Sequence, residues 1–157
     1  MKILLTAFAG KTNTSKLLLD SIQAADKQLL TNSFVSSEKQ MLTAIQKVNP
    51  DFLIAFGQKP KVSCIYIESQ ARKNNFFKTN FDYFGLLESL NKCNIEYKLS
   101  DNAGNYLCNH VYYESLKYIK ENNFRTRAIF IHVPCEKHFD NFTIVSNWLN
   151  KYVETLL

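Results

Sequence analysis

Proline and glycine are scarce in this chain: three and four of 157 residues. With so few breakers no flexible linker can be drawn, and loops must be built from Asn, Ser and Lys. No run approaches the ~18 consecutive apolar residues of a membrane-spanning helix. The opening Met1-Lys2-Ile3-Leu4-Leu5-Thr6 turns polar too soon for a signal peptide, so no leader is expected. The four cysteines, Cys64, Cys93, Cys108 and Cys135, form no C-x-x-C pair. A structural zinc site is therefore not expected, nor any other metal or cofactor; free thiols in a reducing cytoplasm are. Blocks of like charge are also missing. The formal charge is +5, but Lys and Arg are scattered among acidic and polar residues, without a basic stripe interleaved with aromatics. Nucleic acid and membrane surfaces are accordingly not expected partners.

What is present suits one globular domain spanning residues 1–157: 46% apolar and 21% charged residues on a chain long enough for a sizeable core. Apolar runs over Lys2–Phe8, Phe52–Phe56, Cys64–Glu68 and Arg127–Val133 predict strands, with shorter ones at Lys27–Asn32 and Glu96–Leu99. Helical spacing predicts helices over Lys16–Ala24, capped by Thr14 or Ser15; Ser37–Val48, capped by Ser36; and Phe81–Lys92, capped from Thr79-Asn80 with Phe84, Leu87 and Leu90 inward. Two more are expected over Val111–Ile119 and Phe142–Leu156, the last burying Ile144, Val145 and Trp148. Ser69–Lys78 reads as a polar, basic loop. Phe52–Phe56 has no polar residue, as expected of a central strand covered on both faces. Alternating strands and helices predict an α/β domain, with a mixed, mostly parallel sheet between helix layers.

Ligands of such sheets bind beyond the carboxyl ends of the strands. Cys108 stands where a helix opens after the polar turn Ser100-Asp101-Asn102-Ala103-Gly104-Asn105. There the macrodipole and unpaired N–H groups favour a thiolate and can hold an oxyanion. Glu68 closes one strand, and His132 lies near the end of another. If those strands run parallel, sulfur, imidazole and carboxylate share one sheet edge, a workable set for nucleophilic hydrolysis. Taken singly, each has an ordinary alternative: a core cysteine, a satisfied core histidine, a solvated loop glutamate.

Ser-Asn-type turn, nucleophile and helix together read Ser-Asp-Asn-Ala-Gly-Asn-Tyr-Leu-Cys-Asn-His at 100–110. With Phe130-Ile131-His132-Val133-Pro134, this resembles the pyroglutamyl peptidase I family of cysteine peptidases. Gly57-Gln58 is similar to the family's G-Q loop, and an ungapped count from it reaches Glu68. Thr6-Ala7-Phe8 and Asn13-Thr14-Ser15 are similar to its T-G-F and N-P-S segments. The resemblance implies a three-layer α/β/α sandwich without metal, Cys108 as nucleophile, His132 as base and Glu68 as the third member. It further implies that Phe8, Gln58, Tyr106 and Leu107 line the substrate site. The substrates would be peptides blocked by N-terminal pyroglutamate, in the cytoplasm, with oligomers possible. The chain departs from the family pattern in being shorter. Ala9-Gly10-Lys11 replaces a second pocket phenylalanine, and Lys59-Pro60-Lys61 replaces a glycine-rich flank. The family's loop arginine has only Arg72 or Lys78 as candidates. Phe76 or Phe77 could supply a new aromatic wall, although ordinary packing is the better account of the pair. Altered specificity for a related small amide, or a non-catalytic relic of the fold, are the competing readings.

Overall fold

A computed structural model describes residues 1–157. Its elements in chain order are β1 (Ile3–Phe8), α1 (Thr14–Ser21), β2 (Asp26–Leu30), α2 (Phe34–Val48), β3 (Phe52–Lys59) and β4 (Ile65–Glu68). There follow β5 (Gln70–Arg72), β6 (Phe76–Lys78), α3 (Tyr83–Lys92), β7 (Tyr97–Ser100), α4 (Leu107–Glu121), β8 (Arg127–Pro134) and α5 (Phe142–Thr155). Six strands form one sheet in the order β2-β1-β3-β8-β4-β7, and β5 and β6 form a separate hairpin.

Side chains alternate across the sheet, and each face feeds its own core. On β3, Phe52, Ile54 and Phe56 pack with Leu18 of α1, Leu90 of α3 and Trp148 of α5. Leu53 and Ala55 of the same strand pack with Met41 of α2 and Tyr112 of α4. This is the three-layer sandwich expected, with the polar-free run at 52–56 in the middle of the sheet.

Strand direction departs from expectation in one place. β1, β2, β3 and β8 are mutually parallel along their contacts, but β4 runs antiparallel to β8 and parallel to β7. The condition that the strands bearing Glu68 and His132 run parallel is thus not met. The predicted loop at 69–78 holds the β5–β6 hairpin, whose polar residues hide its extended backbone from a hydrophobicity reading.

Helix starts also moved. Asn13, not Thr14 or Ser15, caps α1, accepting from Ser15 N. Asp82 caps α3 and accepts from Phe84 N. Ser33, not Ser36, caps α2, and its hydroxyl accepts from Ser36 N. Each site offers several Ser, Thr, Asn or Asp residues in a row, and the one with extended backbone wins. Phe84 and Ile144, expected inward, are 73% and 55% exposed; the buried face of α3 runs through Leu86 and Leu90, and that of α5 through Val145, Trp148 and Leu149.

The Ser33 assignment separates two variants in urea unfolding. Ser33→Ala is expected to lose about 0.5–2 kcal/mol, whereas Ser36→Ala stays within about 0.5 kcal/mol of the parent.

Candidate active site

Gly57 is the pivot of the site. It sits on β3 in register with His132 of the adjacent, parallel β8. A Cβ at position 57 would stand 2.5 Å from Cys108 Sγ and 2.8 Å from Phe130 Cζ. Only glycine leaves room for the sulfur at this point. Residues paired across a sheet share a face, and neighbouring strands lie about 4.8 Å apart. Cys108, carried in by the first turn of α4, therefore lies over the same face of the sheet as His132, above the neighbouring strand.

Glu68 reaches this face from the other side of β8. In the antiparallel β4–β8 pair, Tyr66 faces His132 and Glu68 faces Phe130. Glu68 and His132 are thus diagonal neighbours on one face, close enough for a side-chain bond. His132 Nδ1 donates to Glu68 Oε1 at 2.7 Å, and both side chains are buried. That bond fixes the tautomer and leaves Nε2 as the free ring nitrogen. The Phe130 ring lies beside the imidazole, centroids 4.9 Å apart. Glu68 and His132 meet through antiparallel pairing instead of a common strand direction.

A fully buried carboxylate needs more than one partner. Lys59 Nζ stands 3.7 Å from Glu68 Oε1 and over the ring of Tyr66. Tyr112 of α4 donates its hydroxyl proton to the Glu68 backbone carbonyl at 3.0 Å, fixing the end of β4 to the helix that carries Cys108. Glu68 Oε2 is buried without a protein partner.

The thiol does not behave as its helix position suggests. Burial, and then the negative charge of Glu68, push Cys108 up to about 12; Lys59 and a backbone hydrogen bond pull it down by less. At neutral pH the resting sulfur is a thiol. The helix N-terminus is present, but desolvation outweighs it.

The remaining sequence-based site residues divide. Phe8 and Leu107 pack in the same cluster as Cys108. Gln58 lies on the opposite face of β3 from Gly57. Its Oε1 accepts from Thr14 N at 3.0 Å, so as placed it braces the start of α1 instead of facing the sulfur. Tyr106, the residue before α4, has its ring 81% exposed in solvent. Phe76 is exposed and Phe77 packs edge-on to Tyr113 further along α4, so neither forms a wall near Cys108. Arg72 is paired with Asp101 at the surface.

Residues missed at the sequence level are Lys59, Tyr112 and Asn109. Asn109 follows the cysteine and clamps the hairpin: its Oδ1 accepts from Arg72 N at 2.9 Å, and its Nδ2 donates to Arg72 O at 2.6 Å. An Asn directly after a candidate nucleophile was the one available signal. A further group, Glu38, His110 and Glu114, brings three possible metal-ligand atoms within 4.8 Å of one another. These atoms are already engaged: His110 Nε2 donates to Glu38 Oε2 at 2.8 Å, and Glu114 pairs with Lys73.

Comparison with known proteins agrees with this geometry. The family model described as pyroglutamyl peptidase matches residues 77–145. A pyrrolidone-carboxylate peptidase of Caldanaerobacter subterraneus subsp. tengcongensis is 32% identical over 85% of this chain and 81% of its own length. A second peptidase of that name from the same organism is 30% identical over 85% and 82%. Among solved structures, a mutant pyrrolidone carboxyl peptidase from Pyrococcus furiosus superposes with a TM-score of 0.87 at 19% identity, covering 98% of this chain and 97% of that one. Pyroglutamyl peptidase I of Bacillus amyloliquefaciens gives 0.84 at 20%, covering 95% and 93%. The structural likeness establishes the fold, and the sequence identity over most of both chains carries the rest: this chain is a member of the pyroglutamyl peptidase family of cysteine peptidases.

Proposed function

We propose that this protein removes N-terminal pyroglutamate from peptides, with Cys108 as nucleophile, His132 as general acid and base, and Glu68 as the group that orients the imidazole. The observation that carries this reading is the buried Glu68–His132 hydrogen bond on the face that Gly57 keeps open for the sulfur. A reducing, cytoplasmic setting suits it, since all four cysteines are free.

Because the resting sulfur is a neutral thiol, attack and deprotonation are coupled. His132 Nε2 takes the thiol proton as Sγ bonds to the pyroglutamyl carbonyl carbon. The oxygen becomes an oxyanion, for which the N–H groups at the start of α4 are the nearest donors in kind. Glu68 stabilises the imidazolium through Nδ1 without taking its proton. Collapse breaks the C–N bond, and Nε2 returns the proton to the leaving amine. A thioester remains on Cys108. Water, deprotonated by Nε2, then attacks it and releases pyroglutamate and the free thiol.

In this reading Phe8 and Leu107 form the apolar wall for the ring. Tyr106 stands at the mouth, and Gln58 acts indirectly by holding the end of β3. The site retains only one of the two phenylalanines expected of the family, and Phe77 does not replace the other. This favours a second reading, a related small cyclic or acyl amide as the preferred substrate. Loss of one apolar wall changes discrimination by only about 1–3 kcal/mol, so pyroglutamate would still be turned over.

Three outcomes are expected with a pyroglutamyl-aminomethylcoumarin substrate. Cys108→Ala abolishes release of the fluorophore while circular dichroism is unchanged; turnover surviving that substitution would defeat the assignment. Glu68→Gln lowers kcat by about 10³–10⁴-fold, as expected when an imidazole loses its orienting anion. Gly57→Ala displaces Sγ or Phe130, lowering kcat at least tenfold with about 1–3 kcal/mol lost in unfolding. A panel of other N-acyl coumarins separates the two substrate readings by their kcat/KM.

The pH dependence follows from the raised thiol. In the free protein, alkylation of Cys108 by iodoacetamide should have its midpoint above the ordinary thiol value of about 8.5. Glu68→Gln removes a charge that raises it, so the midpoint falls. Lys59→Met removes a charge that lowers it, so the midpoint rises. A midpoint near neutrality in the parent would show instead a preformed thiolate–imidazolium pair.

A further inference from the structure

On the face of the sheet opposite Cys108, helices α3 and α5 diverge over the starting ends of β3 and β8. Between them lies a groove of about 490 Å³, within the range of small-molecule sites. Its walls are aromatic. Phe52 and Phe81 meet edge-on with centroids 5.7 Å apart, and Trp148 and Tyr152 stack at 5.7 Å. Trp148 Nε1 donates to Ser89 Oγ at 3.0 Å, so the polar end of the indole is already satisfied and the groove is left an apolar surface.

The charge at the rim is positive. The Arg127 guanidinium lies 4.2 Å over the Phe52 ring, and neither Arg127 nor Lys151 forms an ion pair in the protein. Lys92, also at the rim, is paired with Glu88. The one carboxylate there, Asp82, is occupied in capping α3.

Gly85 supplies an independent observation. It lies inside α3, lines the groove, and a Cβ added to it meets nothing within 4 Å. Glycine in a helix interior costs about 1 kcal/mol relative to alanine. No packing reason requires it here; what its missing side chain does is keep the groove open.

We propose that this groove is a binding site for a small amphiphilic carboxylate, its apolar body laid against the two aromatic pairs and its anionic head at Arg127 and Lys151. The site is separate from the catalytic one. Arg127 begins β8 and His132 lies five residues on, about 17 Å along the strand at about 3.3 Å per residue.

Trp148 is the single tryptophan of the chain and reports on the groove directly. Decanoate is titrated into the intact protein below its micellar concentration while tryptophan emission is followed. A saturable change is expected, with decyltrimethylammonium and 1-decanol at least tenfold weaker. Gly85→Leu, which fills the groove and restores a good helix former, should abolish the change. The double variant Arg127→Gln/Lys151→Gln, which leaves the groove's shape intact, should weaken decanoate at least tenfold without affecting decanol. Cys108→Ala should bind decanoate as the parent does, so the result stands apart from the catalytic assignment. No saturable change, a change undiminished in Gly85→Leu, or equal affinity for the cationic and anionic amphiphiles would overturn the proposal. So would a dimer, seen by sedimentation, that decanoate leaves intact and Gly85→Leu dissociates, since the groove would then belong to a second copy of the chain.

Discussion

The hydrogen bond between His132 and Glu68 is the constraint around which the site is arranged. A carboxylate with no solvent contact is costly unless charge and donors surround it. Here the imidazole and the Lys59 ammonium both serve Oε1, while Oε2 has no protein partner. Removing one partner of such a buried pair typically costs about 3–5 kcal/mol, since the other is left uncompensated. The same bond that holds two strands in register therefore also selects the imidazole tautomer, and structure and chemistry draw on one interaction.

The sulfur's place is set by a second constraint, purely steric. Gly57 removes a side chain from the middle of a packed sheet, and α4 lowers its first turn into the space. The result is a sulfur that is tightly placed and poorly solvated, and a raised thiol is consistent with this burial. Lys59 moderates the effect from the edge of the site, in a segment where the chain departs from its family's glycine-rich pattern.

Much of this was legible in the residues, for physical reasons. Phe52–Phe56, with no polar residue, reads as a doubly covered strand, and the cysteine turn and the Phe-Ile-His-Val-Pro segment pointed by resemblance to Cys108 and His132 as candidates for nucleophile and base. Other features depend on tertiary context that no local pattern carries. The reversal of β4 leaves no trace in Ile65–Glu68, since a buried strand reads the same in either direction. The Ser69–Lys78 hairpin is too polar to register as sheet. Phe84 and Ile144 face outward because Leu86 and Leu90 of α3, and Val145, Trp148 and Leu149 of α5, fill the space against the sheet. The roles of Gly57 and Lys59 exist only once α4 and β4 are in place, so they could not be read from spacing.

The position of β8 has a consequence for synthesis on the ribosome. β3 and β4 follow one another in the chain, yet β8 lies between them in the sheet and is made well after both. Until it emerges, the sheet exists as two unjoined halves, β2-β1-β3 and β4-β7, with open edges toward each other. Long-range insertion of this kind is slow relative to local folding, and unpaired edges are sticky while they wait. The candidate site is thus closed by the same late event that seals the sheet, and a nascent chain that stops short of β8 has neither His132 nor a continuous sheet.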